Sequence, residues 1–204
     1  MKKIKKTVGR PREFERESTL EKALHVFWDK GFVLASMSEL CREMQINAPS
    51  LYAAYGNKTQ LFLEALDFYE EKYWAAPCQN FLEEKDIFLA IKIFFTAAIE
   101  ILYSQKSPCG CMTVLAAVSI PFEEAEIHDR VQELRLQTQN MFLTRFQQAV
   151  LEGQLAKESD CKALAVAMNT LLEGLSIQAK SGIPASNLQE IPKLAVRMLC
   201  SPLK

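Results

Sequence analysis

At 204 residues and 49% hydrophobic content, the chain can bury one sizeable core or two small ones, and 7 glycines and 8 prolines leave most of it free to be helical. Its longest apolar stretches, such as IFLAIKIFFTAAIEIL, are interrupted by Lys92 and Glu100 and are too short to span a bilayer comfortably, and no signal-peptide run follows the basic MKKIKK start. This excludes a membrane role, implies a cytoplasmic protein and predicts that its six cysteines stay reduced.

The net charge of −1 hides an uneven distribution. Residues 1–58 carry 11 Lys/Arg against 7 Asp/Glu, whereas residues 59–204 carry 13 against 18. A basic end on an acidic body suggests an arm that touches a polyanion, although charge alone fits a solvated tail equally well. Residues 1–13 lack apolar periodicity, contain VGRPR, and read as that basic, flexible arm.

From Phe14 the apolar residues Leu20, Ala23, Leu24, Phe27 and Trp28 recur at helical spacing, and Gly31 is expected to end this first helix. SMSELCREM is a short second helix that Ser36 or Ser38 can cap, with Met37, Leu40, Cys41 and Met44 on one face. QINA is a turn. Pro49 suits the first position of a brief third helix ending at Tyr55, because its missing N–H would have no partner there. Gly56 stops that helix, Asn57 recaps, and KTQLFLEALDFYEEKYW continues as a longer fourth helix.

Beyond Pro77 come an apolar helix broken by KSPCGC, a shorter apolar one ending at Pro121, a long amphipathic one through Leu155, and two more in residues 160–182 and 187–200. No strand-period alternation and no repeat is visible. The expected fold is all-α with about nine helices: an arm over 1–13, a three-helix domain over 14–58, and a helical body over 59–204 that the fourth helix joins to it.

Three short helices with a tight turn between the second and third form a helix-turn-helix unit, whose third helix enters the major groove of double-stranded DNA. In NAPSLYAAYGNK, the groups of Asn47, Ser50, Tyr52 and Tyr55 suit phosphates and base edges. Ala48, Ala53 and Ala54 allow close approach and can meet thymine methyls, and Pro49 belongs to the same expected DNA-binding set. Lys58 follows within reach of the DNA backbone. Tyr55 has a second reading, packing into the small core beneath the turn. In GRPR, Arg10 and Arg12 fit an arm in the minor groove, where arginine is drawn by concentrated negative potential.

FWDKGFVLASMSELCREMQINAPSLYAAYGNKTQLF resembles the DNA-binding domain of the TetR family of bacterial transcriptional regulators, over residues 14–66. The resemblance rests on the aromatic-x-x-x-Gly-Phe opening, the Leu51-Tyr52 pair and the aromatic-Gly-Asn-Lys exit. It implies phosphate contacts by Tyr52 and Lys58, with Ser36 or Ser38 backing the second helix onto the DNA backbone. Ala54 departs from the pattern, standing where many relatives carry histidine, and Tyr55 stands where they carry phenylalanine.

The resemblance also implies an effector-binding and dimerisation domain behind the DNA-binding one. Phe94, Phe95, Tyr103, Phe142 and Phe146 could line an apolar effector pocket or be plain core. The last two helices, with Ala163, Ala167, Gly174 and Ala179 beside Leu171, Leu175, Leu194 and Met198, are the expected homodimer surface on a pseudo-palindromic operator. Cys109 and Cys111 flank Gly110 and admit three readings: a packed turn, a redox or electrophile sensor, or a metal site. The last needs more ligands than the pair supplies, and neither metal nor cofactor is expected. A helical thiol enzyme is the remaining alternative, and it leaves the N-terminal motif unexplained.

Overall fold

The structure, a computed structural model, describes residues 11–104 and 107–200. Ten α-helices follow one another: α1 (Pro11–Leu34), α2 (Met37–Met44), α3 (Ala48–Tyr55), α4 (Lys58–Tyr69), α5 (Ala75–Glu83), α6 (Ile87–Leu102), α7 (Met112–Ser119), α8 (Ala125–Leu151), α9 (Cys161–Lys180) and α10 (Ile191–Cys200). A π-helical turn, Glu70–Trp74, fuses α4 to α5, so the ten segments make nine rods. A 3₁₀ turn, Ala185–Leu188, precedes α10. There is no strand among the described residues, as the sequence predicts for an all-α protein.

Side-chain caps explain most of the boundaries. Ser36, Asn47, Asn57, Asp86 and Asp160 each accept a backbone N–H of the first turn that follows, satisfying donors that have no partner within the helix. Gly31 interrupts α1 as expected, with φ 76° and ψ 172°, yet one further turn, through Leu34, follows the break. Pro11 already lies in α1, inside the segment read as an arm. The rest of that arm, with Arg10, lies outside the described residues, as does the side chain of Arg12.

The first three helices and α4 close around Leu24, Phe27, Leu40, Leu51 and Phe62, all essentially buried. Phe27 meets Phe62 edge-to-face at 5.0 Å. The body closes around Phe81, Phe94, Phe95, Phe142 and Phe146, each 0% exposed. Every ring buried in this way contributes about 1.5–3 kcal/mol, and aromatic pairs add to it. Arg145, only 2% exposed, donates to the carbonyls of Glu84 and Lys85 at 2.7 and 2.8 Å, terminating α5 from within.

Head and body meet along α1. The Trp28 ring packs edge-on against Tyr69 and Tyr73, at 4.7 and 5.0 Å. Its indole N–H donates to the carbonyl of Gly110 at 2.8 Å. Gly110 has φ 86°, and an added Cβ would stand 3.0 Å from the Ser176 carbonyl oxygen, so both conformation and space demand glycine there.

Candidate nucleic-acid interface

The turn between α2 and α3 is tight because Gln45 adopts the left-handed region, φ 58°, and the N–H groups of Gln45 and Ile46 return to the carbonyls of Arg42 and Cys41. This closes α2 with two bonds and starts α3 two residues later. Asn47 then spends its side-chain oxygen on the Ser50 N–H, at 2.9 Å. Its amide nitrogen stays available to an outside partner.

On α3 the sequence divides cleanly by face. Leu51 and Tyr55 point inward, at 0% and 4% exposure. Asn47, Ala48, Pro49, Ser50, Tyr52, Ala53 and Ala54 are all exposed. Of the two readings of Tyr55, the structure selects packing: its hydroxyl donates to the Arg16 carbonyl at 3.3 Å, and the Arg16 guanidinium lies 5.0 Å from its ring centre. Tyr55 therefore drops out of the interface, because four residues after Leu51 it falls on the same inward stripe.

Ser36 and Ser38 lie exposed at the start of α2, their hydroxyls 3.1 Å apart. Ser36 is the cap and Ser38 is free to reach outward. Behind them Glu39 is bridged by Lys30 at 2.5 Å and by Arg42 at 3.3 Å. The Lys30 hydrogen bond holds the Glu39 carboxyl below its usual range, and the two cations screen a charge that would repel phosphate. Lys58 turns back on the head, its ammonium 3.4 Å from the Val33 carbonyl and 4.6 Å from the centre of the Phe32 ring. Partial burial lowers its pKa. It flanks α3 but must swing outward to meet a phosphate.

Of the two readings of the aromatic residues, pocket lining or plain core, four of the five follow the second and form a solid cluster. Phe94 packs on Phe142 at 5.2 Å and on Phe95 at 5.6 Å, while Phe142 stacks on Phe146 at 6.1 Å. None of the four lines a cavity described for the body, and Tyr103 sits apart near the loop, its buried hydroxyl unpartnered among the described residues. Helical spacing alone cannot separate rings that face a cavity from rings that fill it.

The cavity lies next door, walled by the π turn, α5, α7, α8 and α9, and Glu70, Trp74, Cys78 and Cys111 are among its residues. Nothing in the sequence marks Glu70, because an acidic residue in EEKYW looks solvated. It opens the π turn and lines the cavity there. Cys111 is buried, its thiol pushed up to about 11 by that burial and by Glu70, which suits a packed group rather than a reactive one. Cys109 is exposed. Among the described residues, no cluster of His, Cys, Asp or Glu could hold a metal ion, and no helix is long and apolar enough to cross a membrane.

Residues 20–65 match the family model for bacterial regulatory proteins of the tetR family, and residues 90–185 match the model for the tetracyclin repressor-like C-terminal domain. The chain is 30% identical over 187 residues to the HTH-type transcriptional repressor BdcR of Escherichia coli, covering 89% of this chain and 87% of that one. It belongs to the TetR family.

A second Escherichia coli relative, the HTH-type transcriptional repressor ComR, is 28% identical over 196 residues, covering 96% of this chain and 93% of its own. The TetR family regulator CifR, solved as a cysteine mutant with a 26-base-pair double-stranded operator DNA, superposes with a TM-score of 0.86 at 32% identity, covering 92% of this chain and 98% of its own. The protein is thus a DNA-binding transcriptional regulator of the TetR family and not an enzyme, and the helical thiol-enzyme alternative falls.

Proposed function

We propose that the protein is a cytoplasmic, homodimeric repressor that holds a pseudo-palindromic operator through α3 and the start of α2 and releases it when a small, largely apolar effector enters the body. The observation that carries this reading is the division of α3. Two residues anchor it while seven neighbours, Asn47 to Ser50 and Tyr52 to Ala54, present an exposed face rich in small and hydrogen-bonding groups and without a carboxylate. Such a face suits a duplex, with Tyr52, Ser38 and Lys58 on phosphates and Asn47, Ala48, Pro49, Ser50 and Ala53 over the bases.

Dimerisation is supported by α9 and α10. They share an open apolar groove that includes Ala167, Leu171, Gly174, Ile191 and Met198, and Leu194 beside it is 45% exposed. Leu175 lines the floor of the same groove at 2% exposure, whereas Ala179, also expected on that surface, is buried at 2% and does not line it. The alternative of thiol sensing keeps only Cys109, since Cys111 is enclosed.

The test is fluorescence anisotropy with a duplex selected from random DNA, titrated across salt concentrations. Binding through α3 predicts that Tyr52→Ala weakens affinity for every duplex, whereas Ser50→Ala relaxes sequence preference. An affinity indifferent to both substitutions would remove α3 from the interface. Repeating the titration with a mild oxidant on Cys109→Ser and on the unaltered protein separates the two release readings: oxidant-driven release that needs Cys109 would replace effector release by thiol sensing.

A further inference from the structure

A π turn widens the helix by one residue and re-aims the side chains that follow. Here Glu70 opens the turn and, with Trp74 at its end, faces a cavity of about 40 Å³ inside the body, room for roughly three waters or the head of a small molecule. Apolar surface comes from Trp74, Val114, Leu134 and Leu172. The cavity's mouth carries an ion pair, Arg135 to Glu173 at 2.8 and 2.9 Å, which Asn169 completes with a third bond to Glu173 at 2.9 Å.

The charges around Glu70 do not balance. Arg135 is already paired with Glu173 through two parallel bonds. Arg130, the cation felt from α8, holds Asp67 at 2.7 Å and Glu133 at 2.6 Å. Glu70 itself is bonded by the Thr113 hydroxyl, and among the described residues no ion pair joins it to a cation. The other titratable neighbours, Tyr69, Cys78 and Cys111, are held protonated by burial. Burial likewise raises the Glu70 carboxyl to about 7. A carboxylate enclosed without a counter-charge is costly, and a cation delivered into the same cavity relieves that cost.

We propose that this cavity is the effector site and that it takes an organic cation, a protonated amine on a short apolar body. The ammonium meets the Glu70 carboxylate and faces the Trp74 indole, whose ring attracts cations. The body lies along Val114, Leu134 and Leu172 toward the mouth. An anion finds a carboxylate inside and, at the door, a guanidinium whose charge Glu173 already balances. A neutral molecule of the same shape leaves Glu70 as it was. The ammonium also competes with Thr113 for the carboxylate. Thr113 opens α7 two residues after Cys111, whose N–H donates to the Ser176 hydroxyl at 2.7 Å, and three after Gly110, which receives the Trp28 indole. Displacement of Thr113 is thereby passed to the bond between body and head. This last step rests on the effector-release reading; binding of the cation does not.

The experiment titrates the full chain with n-pentylamine, 1-pentanol and pentanoate, read by tryptophan fluorescence and calorimetry, alongside anisotropy of the bound duplex. The amine is expected to bind about tenfold or more tighter than the alcohol, with an advantage lost in Glu70→Gln. Its affinity should rise between pH 5.5 and 7.5, as Glu70 gives up its proton, by up to about tenfold per pH unit. Leu172→Trp, which fills the cavity without touching Glu70, should abolish binding. Equal binding of the three probes, or amine binding unchanged in Glu70→Gln, would overturn the proposal. Glu70-dependent binding that leaves the duplex held would keep the site and overturn effector release. Release by the alcohol alone would do the reverse.

Discussion

Lys58 and Glu70, twelve residues apart at the two ends of α4, show how much of a residue's role depends on its surroundings. The family resemblance already marks Lys58, but only the structure shows its ammonium folded onto the Val33 carbonyl and the Phe32 ring. If it swings to a phosphate on binding, Lys58→Ala should flatten the dependence of log affinity on log salt by about one unit per subunit, close to two for a dimer. An unchanged slope would leave Lys58 a purely structural residue. Glu70 yields a stability prediction. Its carboxyl is raised from 4.5 to about 7 in the folded chain, so the native state binds this proton more tightly than the unfolded one. Stability therefore falls as pH rises through that window, and above it the protein is weaker by roughly 3 kcal/mol. Glu70→Gln should melt near the wild-type temperature at pH 4.5 and roughly 10 °C higher at pH 8, as measured by calorimetry. A melting difference that does not change with pH would place the carboxyl in contact with water.

Elements were legible wherever a local signal sets them. Pro49 and Asn47 mark the start of α3, Asn57 that of α4, and Gly31 the break in α1, because caps and glycines act over a few residues whatever the tertiary context. Asn47→Ala should accordingly lower thermal stability by about 1 kcal/mol through loss of the bond to Ser50. It should weaken DNA binding further by fraying the first turn of α3, and amide exchange at Ser50 would report the fraying directly. Helix α5 went unseen because Pro77 reads as a breaker; in the structure the rod runs on through the π turn and carries Pro77 three residues beyond it. The π turn had no signal at all, since EEKYW continues a helical pattern and its extra residue is set by the packing of Tyr69, Trp74 and Glu70. For the same reason the aromatic cluster of α6 and α8 could not be told from a pocket lining.

At the scale of the whole molecule, the bonds that link the helix-turn-helix head to the body include Trp28 to Gly110, Lys180 to the Asp29 carbonyl at 3.2 Å, Thr59 to Glu124 at 2.9 Å, Asp67 to Arg130 at 2.7 Å and Glu21 to Lys72. Trp28→Phe keeps the ring and deletes one of them. It is expected to leave DNA affinity nearly intact while weakening the effector's influence on it, in anisotropy titrations with and without amine. A coupling as large as in wild type would route the signal through α4 and α8 instead. Gly174 supplies the cleanest probe of assembly. A Cβ there meets nothing within 4 Å in the protomer, so Gly174→Glu should fold at least as well as wild type while placing a charge in the groove of α9 and α10.

In the proposed assembly two copies, joined along α9 and α10, each present one α3 to one half of an operator. This arrangement is tested most directly by stoichiometric titration of a selected duplex, intact and with one half-site scrambled, with wild type and Gly174→Glu. Two protomers per intact duplex are expected, on half-sites about one helical turn or somewhat more apart. Affinity should fall by at least about tenfold on scrambling one half, and by a comparable loss for Gly174→Glu. One protomer per duplex, held as tightly with a single half-site and by Gly174→Glu as by wild type, would contradict it.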